Sequence, residues 1–294
     1  HLDTQFPIIT TKKVFFKGVK AELLWMLKGN TNIKELVDQG VNIWNDWPLK
    51  RFRKENPNIN MSEEDFIKVI KADSGSVGGF AHAWGDCGPV YGYQWRKWQH
   101  YDPTPAPEQP AVPHITSKLH SAVDPSGKYL GTIGAFDTVD QVADVLHQLR
   151  TNPESRRMII MGWNPGEIEA MKVSGLPPCL MMVQFYTRTL TLEERQAVAR
   201  GRDIPIDYMD ENSIPLRALD AQVYIRSNDL FLGAPFNIAQ YALMIHLFAN
   251  SVNMVPGELV YTIGDAHIYS NHYGQVEEQL SREPSGEPTL HLIR

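Results

Sequence analysis

Between Asn237 and Asn250 nearly every residue is apolar, with Ile238, Ala239, Tyr241, Ala242, Leu243, Met244, Ile245, Leu247, Phe248 and Ala249 leaving no continuous polar stripe. A helix of that kind is buried on most sides, so the rest of the chain has to wrap it. The length allows this, since 294 residues make one large domain or two ordinary ones at about 150 residues each. Hydrophobic residues at 43% and charged residues at 21% exclude disordered, collagen-like and coiled-coil architectures.

Four short apolar or alternating runs, Met158 to Trp163, Leu180 to Tyr186, Gln222 to Arg226 and Glu258 to Ile263, read as buried strands. An amphipathic helix is predicted from about Gly18 to Leu27, stopped by Gly29, and a shorter one from about Asn32 to Gln39, closed by Gly40. Thr138-Val139-Asp140-Gln141 has capping-box spacing and predicts a helix with Val139, Val142, Ala143, Leu146 and Leu149 on one face. Helices and strands do not alternate as βαβ units, which favours an α+β mixed sheet with packed helices over a doubly wound one. The polar stretches at about 48–85 and 187–217 carry helix starts at Ser62-Glu63-Glu64-Asp65 and Thr191-Leu192-Glu193-Glu194 and are expected to be insertions in a single domain over 1–294. Five prolines between Tyr101 and Pro113 predict an exposed loop or stiff connector.

With 28 Lys+Arg against 34 Asp+Glu, the net charge of -6 argues against a nucleic-acid coat and leaves room for a small anionic ligand. Cys87 and Cys179 make no disulfide framework, and no cysteine or histidine spacing suggests a metal, so a reducing, cytoplasmic setting is expected. No apolar run reaches the eighteen or so residues of a membrane span, and the N-terminus lacks a signal-peptide pattern.

Pro177-Pro178-Cys179 places a cysteine after two residues that fix the backbone and before a predicted strand. Cys179 is either a buried structural thiol or a nucleophile whose thiolate is stabilised by nearby cations. Arg156-Arg157 and Arg226-Ser227 offer such cations; arginines suit bidentate phosphate recognition and equally suit a solvated strand edge. Gly264 to His272 is dense in polar side chains just after an apolar strand, a place for ligand contacts or for hydrated surface groups. Asn237 is either a helix cap or a buried amide that reads another amide-like edge. Glu22, beside Leu23, Leu24 and Trp25, lies on a wet helix face or is partly buried with a raised pKa suited to proton transfer.

These residues fall within a long ordered set of blocks: Glu22-Leu23-Leu24-Trp25, Asn42-Ile43-Trp44, Asp46-Trp47, Gly88-Pro89-Val90-Tyr91-Gly92, Gln94-Trp95-Arg96, Ser155-Arg156-Arg157, Trp163-Asn164-Pro165, Pro177-Pro178-Cys179, Arg226-Ser227-Asn228-Asp229, Leu232-Gly233, Pro235-Phe236-Asn237 and Gly264-Asp265-Ala266-His267. In these blocks the chain resembles the thymidylate synthase family, except at about 48–85, 187–217 and the proline-rich loop after Trp98. The resemblance implies an α+β fold, a sheet-to-sheet homodimer, and metal-free one-carbon transfer from 5,10-methylenetetrahydrofolate to C5 of a pyrimidine deoxynucleotide. By it, Cys179 adds to C6 of the base and so makes C5 nucleophilic. Arg226 and Ser227 hold the phosphate, joined by Arg156 and Arg157 reaching across between subunits. Asn237 pairs with the O4/N3–H edge, His267 and Tyr269 bind the sugar hydroxyl, and Asp229 contacts the pterin. Glu22 relays protons and Tyr91 helps remove the C5 proton. Trp44, Trp47, Leu176 and Gly233 belong to the folate side. An amide matches uracil where a carboxylate would match cytosine, so dUMP is expected over dCMP.

Two positions depart from the family pattern: Leu180 stands where most members have His, and Ile225 where Gln is common. That His usually supports a water network near the base. The family's N-terminal arginine loop and C-terminal closing segment either lie outside 1–294 or are replaced. Phage-type pyrimidine hydroxymethylases resemble the synthases closely but let water capture the methylene intermediate, so 5-hydroxymethylation of dUMP, or of dCMP or CMP, is the alternative to dTMP synthesis. A non-catalytic nucleotide- or RNA-binding member is the remaining alternative, opposed by the presence of Cys179, Glu22, Asn237 and the arginines and by the acidic balance.

Overall fold

The computed structural model describes residues 2, 5–102, 118–123, 129–174, 177–201 and 203–292. Helix α1 (Phe16–Leu27) ends before Gly29 and α2 (Lys34–Asp38) before Gly40, at φ of 72° and 73°, the left-handed region that glycine enters without steric cost. The polar stretch that follows holds three helices, α3 (Asp46–Glu55), α4 (Glu63–Ala72) and α5 (Phe80–Trp84). The Ser62 hydroxyl caps α4 by accepting from the Asp65 N–H at 3.0 Å. Leu49, Phe52, Phe66 and Ile70 from these helices join the same buried cluster as Leu23 and Trp25, so the segment shares the main core.

Helix α6 (Tyr91–Arg96) leads into an antiparallel sheet of β1 (Trp98–Asp102), β2 (Lys118–Val123) and β3 (Tyr129–Val139), ordered β1-β3-β2. The expected proline-rich loop loses Tyr101 and Asp102 to β1, and 103–113 lies outside the described residues. Helix α7 (Gln141–Thr151) is capped by Asp140, not Thr138: the carboxylate accepts from the Ala143 N–H at 2.9 Å. Thr138 and Val139 are claimed by the β1 ladder, opposite Gln99 and Trp98. The buried face is therefore Val142, Val145 and Leu149, while Val139 and Ala143 are exposed.

The chain continues through β4 (Ile159–Met161), α8 (Ile168–Ser174), β5 (Leu180–Thr189), α9 (Leu192–Val198), α10 (Ile206–Glu211), β6 (Arg217–Asp229), α11 (Gly233–Ser251), β7 (Val255–His267) and α12 (Tyr273–Leu280). All four expected strands form one mixed sheet, β4-β5-β6-β7, antiparallel except for the parallel β6–β7 pair. A parallel pair needs a crossover, and the apolar helix α11 supplies it. Its Phe248 stacks on Phe185 of β5 with centroids 5.2 Å apart, and α1 packs against it as well. The result is the α+β arrangement the sequence predicts. Helix α9 begins at the predicted start, where Thr191 and Glu194 form a capping box. The opposite sheet face presents Tyr186, Tyr224 and Val260, 53%, 38% and 49% exposed. Among the described residues no helix is long and apolar enough to cross a membrane.

Candidate active site

The β6–β7 register puts Ser227 beside Asp265, Asn228 beside Ala266 and Asp229 beside His267, at the carboxyl ends of both strands. Gly264 permits this close approach, since a Cβ there would lie 2.8 Å from the Arg226 carbonyl oxygen. Ser227 Oγ donates to Asp265 Oδ2 at 3.3 Å, and His267 Nδ1 lies 3.1 Å from the same oxygen. The His267 ring meets the exposed Tyr269 edge-on at 5.1 Å.

Cys179 sits at the start of β5, the antiparallel neighbour of β6. Its carbonyl accepts from the Arg226 N–H at 2.8 Å, and its own N–H donates to Tyr91 Oη at 2.9 Å. The Arg226 guanidinium donates to the carbonyls of Pro178 at 2.9 Å and Pro177 at 3.1 Å and lies over the Trp163 ring at 5.2 Å. One arginine therefore holds the turn that presents the thiol and supplies the charge beside it. Burial pushes the half-buried thiol up, and the Arg226 charge opposes this. Accessibility and a neighbouring cation are what nucleophilic chemistry at cysteine needs. Cys87 differs: it is 1% exposed and burial dominates its thiol.

Glu22, on α1, has both oxygens engaged: Oε1 accepts from Trp44 Nε1 at 2.6 Å and Oε2 from Gln240 Nε2 of α11 at 2.7 Å. Burial drives its carboxyl upward against these two donors, so the partly buried alternative is the one realised. The Tyr91 phenol is pushed up by burial first and then by Cys179 and Glu22. Its ring lies edge-on to Trp44 at 5.8 Å, and Trp44 packs against Trp47 at 5.3 Å and Trp25 at 5.6 Å.

Asn237 is not a helix cap. Because α11 begins at Gly233, Asn237 falls in the second turn, where its Oδ1 accepts from Asn228 Nδ2 at 3.0 Å. Asn228 Oδ1 in turn accepts from the Tyr261 hydroxyl at 2.8 Å. Gly233 borders this pair: a Cβ there would lie 2.9 Å from Asn228 Nδ2 and 3.4 Å from Asn237 Oδ1. Asp229 Oδ1 accepts from the Phe231 N–H at 2.9 Å, and Oδ2 lies 4.0 Å from His272 Nδ1. The Lys12 ammonium donates to the Phe231 carbonyl and sits 3.9 Å above its ring; burial lowers its pKa and Asp229 works against that.

Arg156 and Arg157 are not gathered with Cys179 in the single chain. They are exposed in the turn before β4, where Gln184 Nε2 donates to the Arg156 carbonyl at 3.1 Å. Leu176 lies outside the described residues. Leu180 and Ile225, the two departures from the family pattern, are register partners across β5 and β6, 0% and 1% exposed. They form one apolar cross-strand pair in the core. Sequence reasoning assigned no role to Lys12, Asn228, Gln240 or Tyr261. Gln240 carried a signal, being a polar residue inside the apolar run of α11 and only 3% exposed. Among the described residues no group of three or more His, Cys, Asp or Glu side chains is placed to hold a metal.

The family described as thymidylate synthase matches residues 1–294. A Rhizobium rhizogenes protein named thymidylate synthase is 41% identical over 290 residues, covering 99% of this chain and 75% of that one. Proteins of the same name from Mycoplasma pneumoniae and Listeria monocytogenes are 39% and 37% identical over 295 and 308 residues, in each case 99% of this chain and 77% and 78% of theirs. With the family match covering the whole chain and identities of this size, the chain belongs to the thymidylate synthase family.

Proposed function

We propose that the protein methylates C5 of dUMP with 5,10-methylenetetrahydrofolate as co-substrate, giving dTMP. The observation that carries this reading is Cys179, held through its backbone by Tyr91 and Arg226, in a chain whose relatives are named thymidylate synthase. The Cys179 thiolate adds to C6 of uracil, forming the C–S bond and moving electron density to C5, which is otherwise a weak nucleophile. Arg226 and Ser227 bind the phosphate, His267 and Tyr269 the sugar, and Asn237 the O4/N3–H edge. Glu22, its pKa raised, holds a proton nearer to neutral pH than an ordinary carboxyl and exchanges it near the base. Tyr91 directs loss of the C5 proton. C5 takes the one-carbon unit from the folate and loses its proton. Hydride from the same folate then reaches the methylene carbon, the C5=C6 double bond re-forms as the Cys179 thiolate leaves C6, and dTMP and dihydrofolate result. Trp44 and Trp47, whose rings pack 5.3 Å apart, take the flat pterin ring, with Asp229 as its hydrogen-bond acceptor, and Leu176 and Gly233 are assigned to the same folate side.

The unit that does this is a homodimer formed across the exposed sheet face of Tyr186, Tyr224 and Val260. Arg156 and Arg157, exposed and away from Cys179, then complete the phosphate site between subunits. Two free cysteines suit a reducing, cytoplasmic compartment. The test is release of tritium from dUMP labelled at C5. Release that depends on the folate is expected, and its absence with a folded, dUMP-binding protein would contradict the reading.

A further inference from the structure

We propose that Tyr261 and Asn228 are positioning residues that set base specificity by fixing which end of the Asn237 amide faces the nucleotide; this rests on the dUMP reading above. An unconstrained amide presents either end. With its NH2 toward O4 and its carbonyl toward N3–H it matches uracil, and turned over it matches the amino group and N3 of cytosine. A free asparagine at 237 would therefore accept both bases, and a choice between them requires the amide to be pinned.

The pinning is a buried relay. A phenol carries one proton, and Tyr261 gives it to Asn228 Oδ1 at 2.8 Å. That orients Asn228 so that its Nδ2 donates to Asn237 Oδ1 at 3.0 Å. Turning Asn237 alone would face one NH2 group against another inside a site where Asn228 is 4% exposed, leaving a buried donor unpaired. In the observed orientation Asn237 Nδ2 remains for O4, and the second lone pair of Oδ1 remains for N3–H. Gly233 makes room for the relay, since a side chain there would run into Asn228 Nδ2 at 2.9 Å. The neighbouring core pair, Leu180 and Ile225, offers no polar group that could do this in its place.

Calorimetric Kd values for dUMP and dCMP on the full chain and on Asn228→Asp and Tyr261→Phe variants test this without turnover. At about pH 8 a carboxylate at position 228 is ionised and accepts only, so Asn237 must turn its NH2 toward it and offer its carbonyl to the base. The preference of Asn228→Asp for dUMP over dCMP is expected to fall about tenfold or more. Tyr261→Phe, which frees the relay, is expected to lower the same ratio by less. A ratio unchanged in both variants, or equal losses for both nucleotides, would overturn the relay. Variants that show these Kd shifts, beside an unaltered chain that makes no dTMP, would overturn the methylation reading and leave the relay supported.

Discussion

Cys179 is fixed through its backbone N–H and carbonyl, as the proposed nucleophile requires. Cys179→Ser keeps both backbone bonds, so dUMP binding should survive while turnover falls by at least about a thousandfold. Calorimetry beside a rate assay reads both, and near-normal turnover would exclude covalent catalysis here. Glu22 binds its proton more tightly folded than unfolded, so its contribution to stability is complete below the ordinary carboxyl pKa and is lost as pH rises through the raised value. Glu22→Gln removes that dependence. The Tm difference should move in the variant's favour between about pH 5 and pH 8, and kcat should fall by about 10²- to 10⁴-fold. Scanning calorimetry across pH checks the first part, and a difference constant with pH would contradict the raised pKa. The residue types Cys179, Glu22, Arg226 and Asn237 were legible in the sequence as candidates. Their partners were not, because Gln240 and Glu22 lie 218 positions apart and only the packing of α11 against α1 joins them.

Among elements, α7 shows how a correct helix can be given the wrong start. Thr138 has the right spacing for a cap, but the β1 ladder uses its backbone, and Asp140 takes over. Asp140 also accepts from Arg96 Nε at 2.8 Å, tying α7 to α6. Both side chains are about one-third exposed, which screens the pair, so Asp140→Ala should cost about 1–2 kcal/mol, most of it the lost cap. Urea unfolding measures this, and a loss near zero would show that neither contact carries weight. The mixed sheet was legible because apolar alternation marks buried strands, yet β6 extends from Arg217 to Asp229, well beyond the apolar run Gln222 to Arg226. Its polar ends remain in register with Thr189 on one side and His267 on the other, pairing that local alternation does not encode. The small sheet of β1, β2 and β3 had no such signal.

For the whole molecule, the proposed homodimer makes a checkable claim about the exposed Arg156 and Arg157: they serve the site of the partner subunit. Mixing a Cys179→Ser chain with an Arg156→Ala/Arg157→Ala chain gives hybrids with one doubly impaired site and one intact site. Such mixtures should regain about a quarter of unaltered activity after subunit exchange. No gain over the separate variants would contradict a contribution of those arginines to the partner's site. The family's order of blocks made the overall reading legible in the sequence, whereas the outcome at the methylene carbon depends on water exclusion that no single residue type encodes. The most direct measurement is the mass of the nucleotide formed from dUMP and 5,10-methylenetetrahydrofolate, with the folate followed by its ultraviolet absorbance. dTMP with dihydrofolate is the predicted result; 5-hydroxymethyl-dUMP with tetrahydrofolate, or unchanged dUMP, would contradict it.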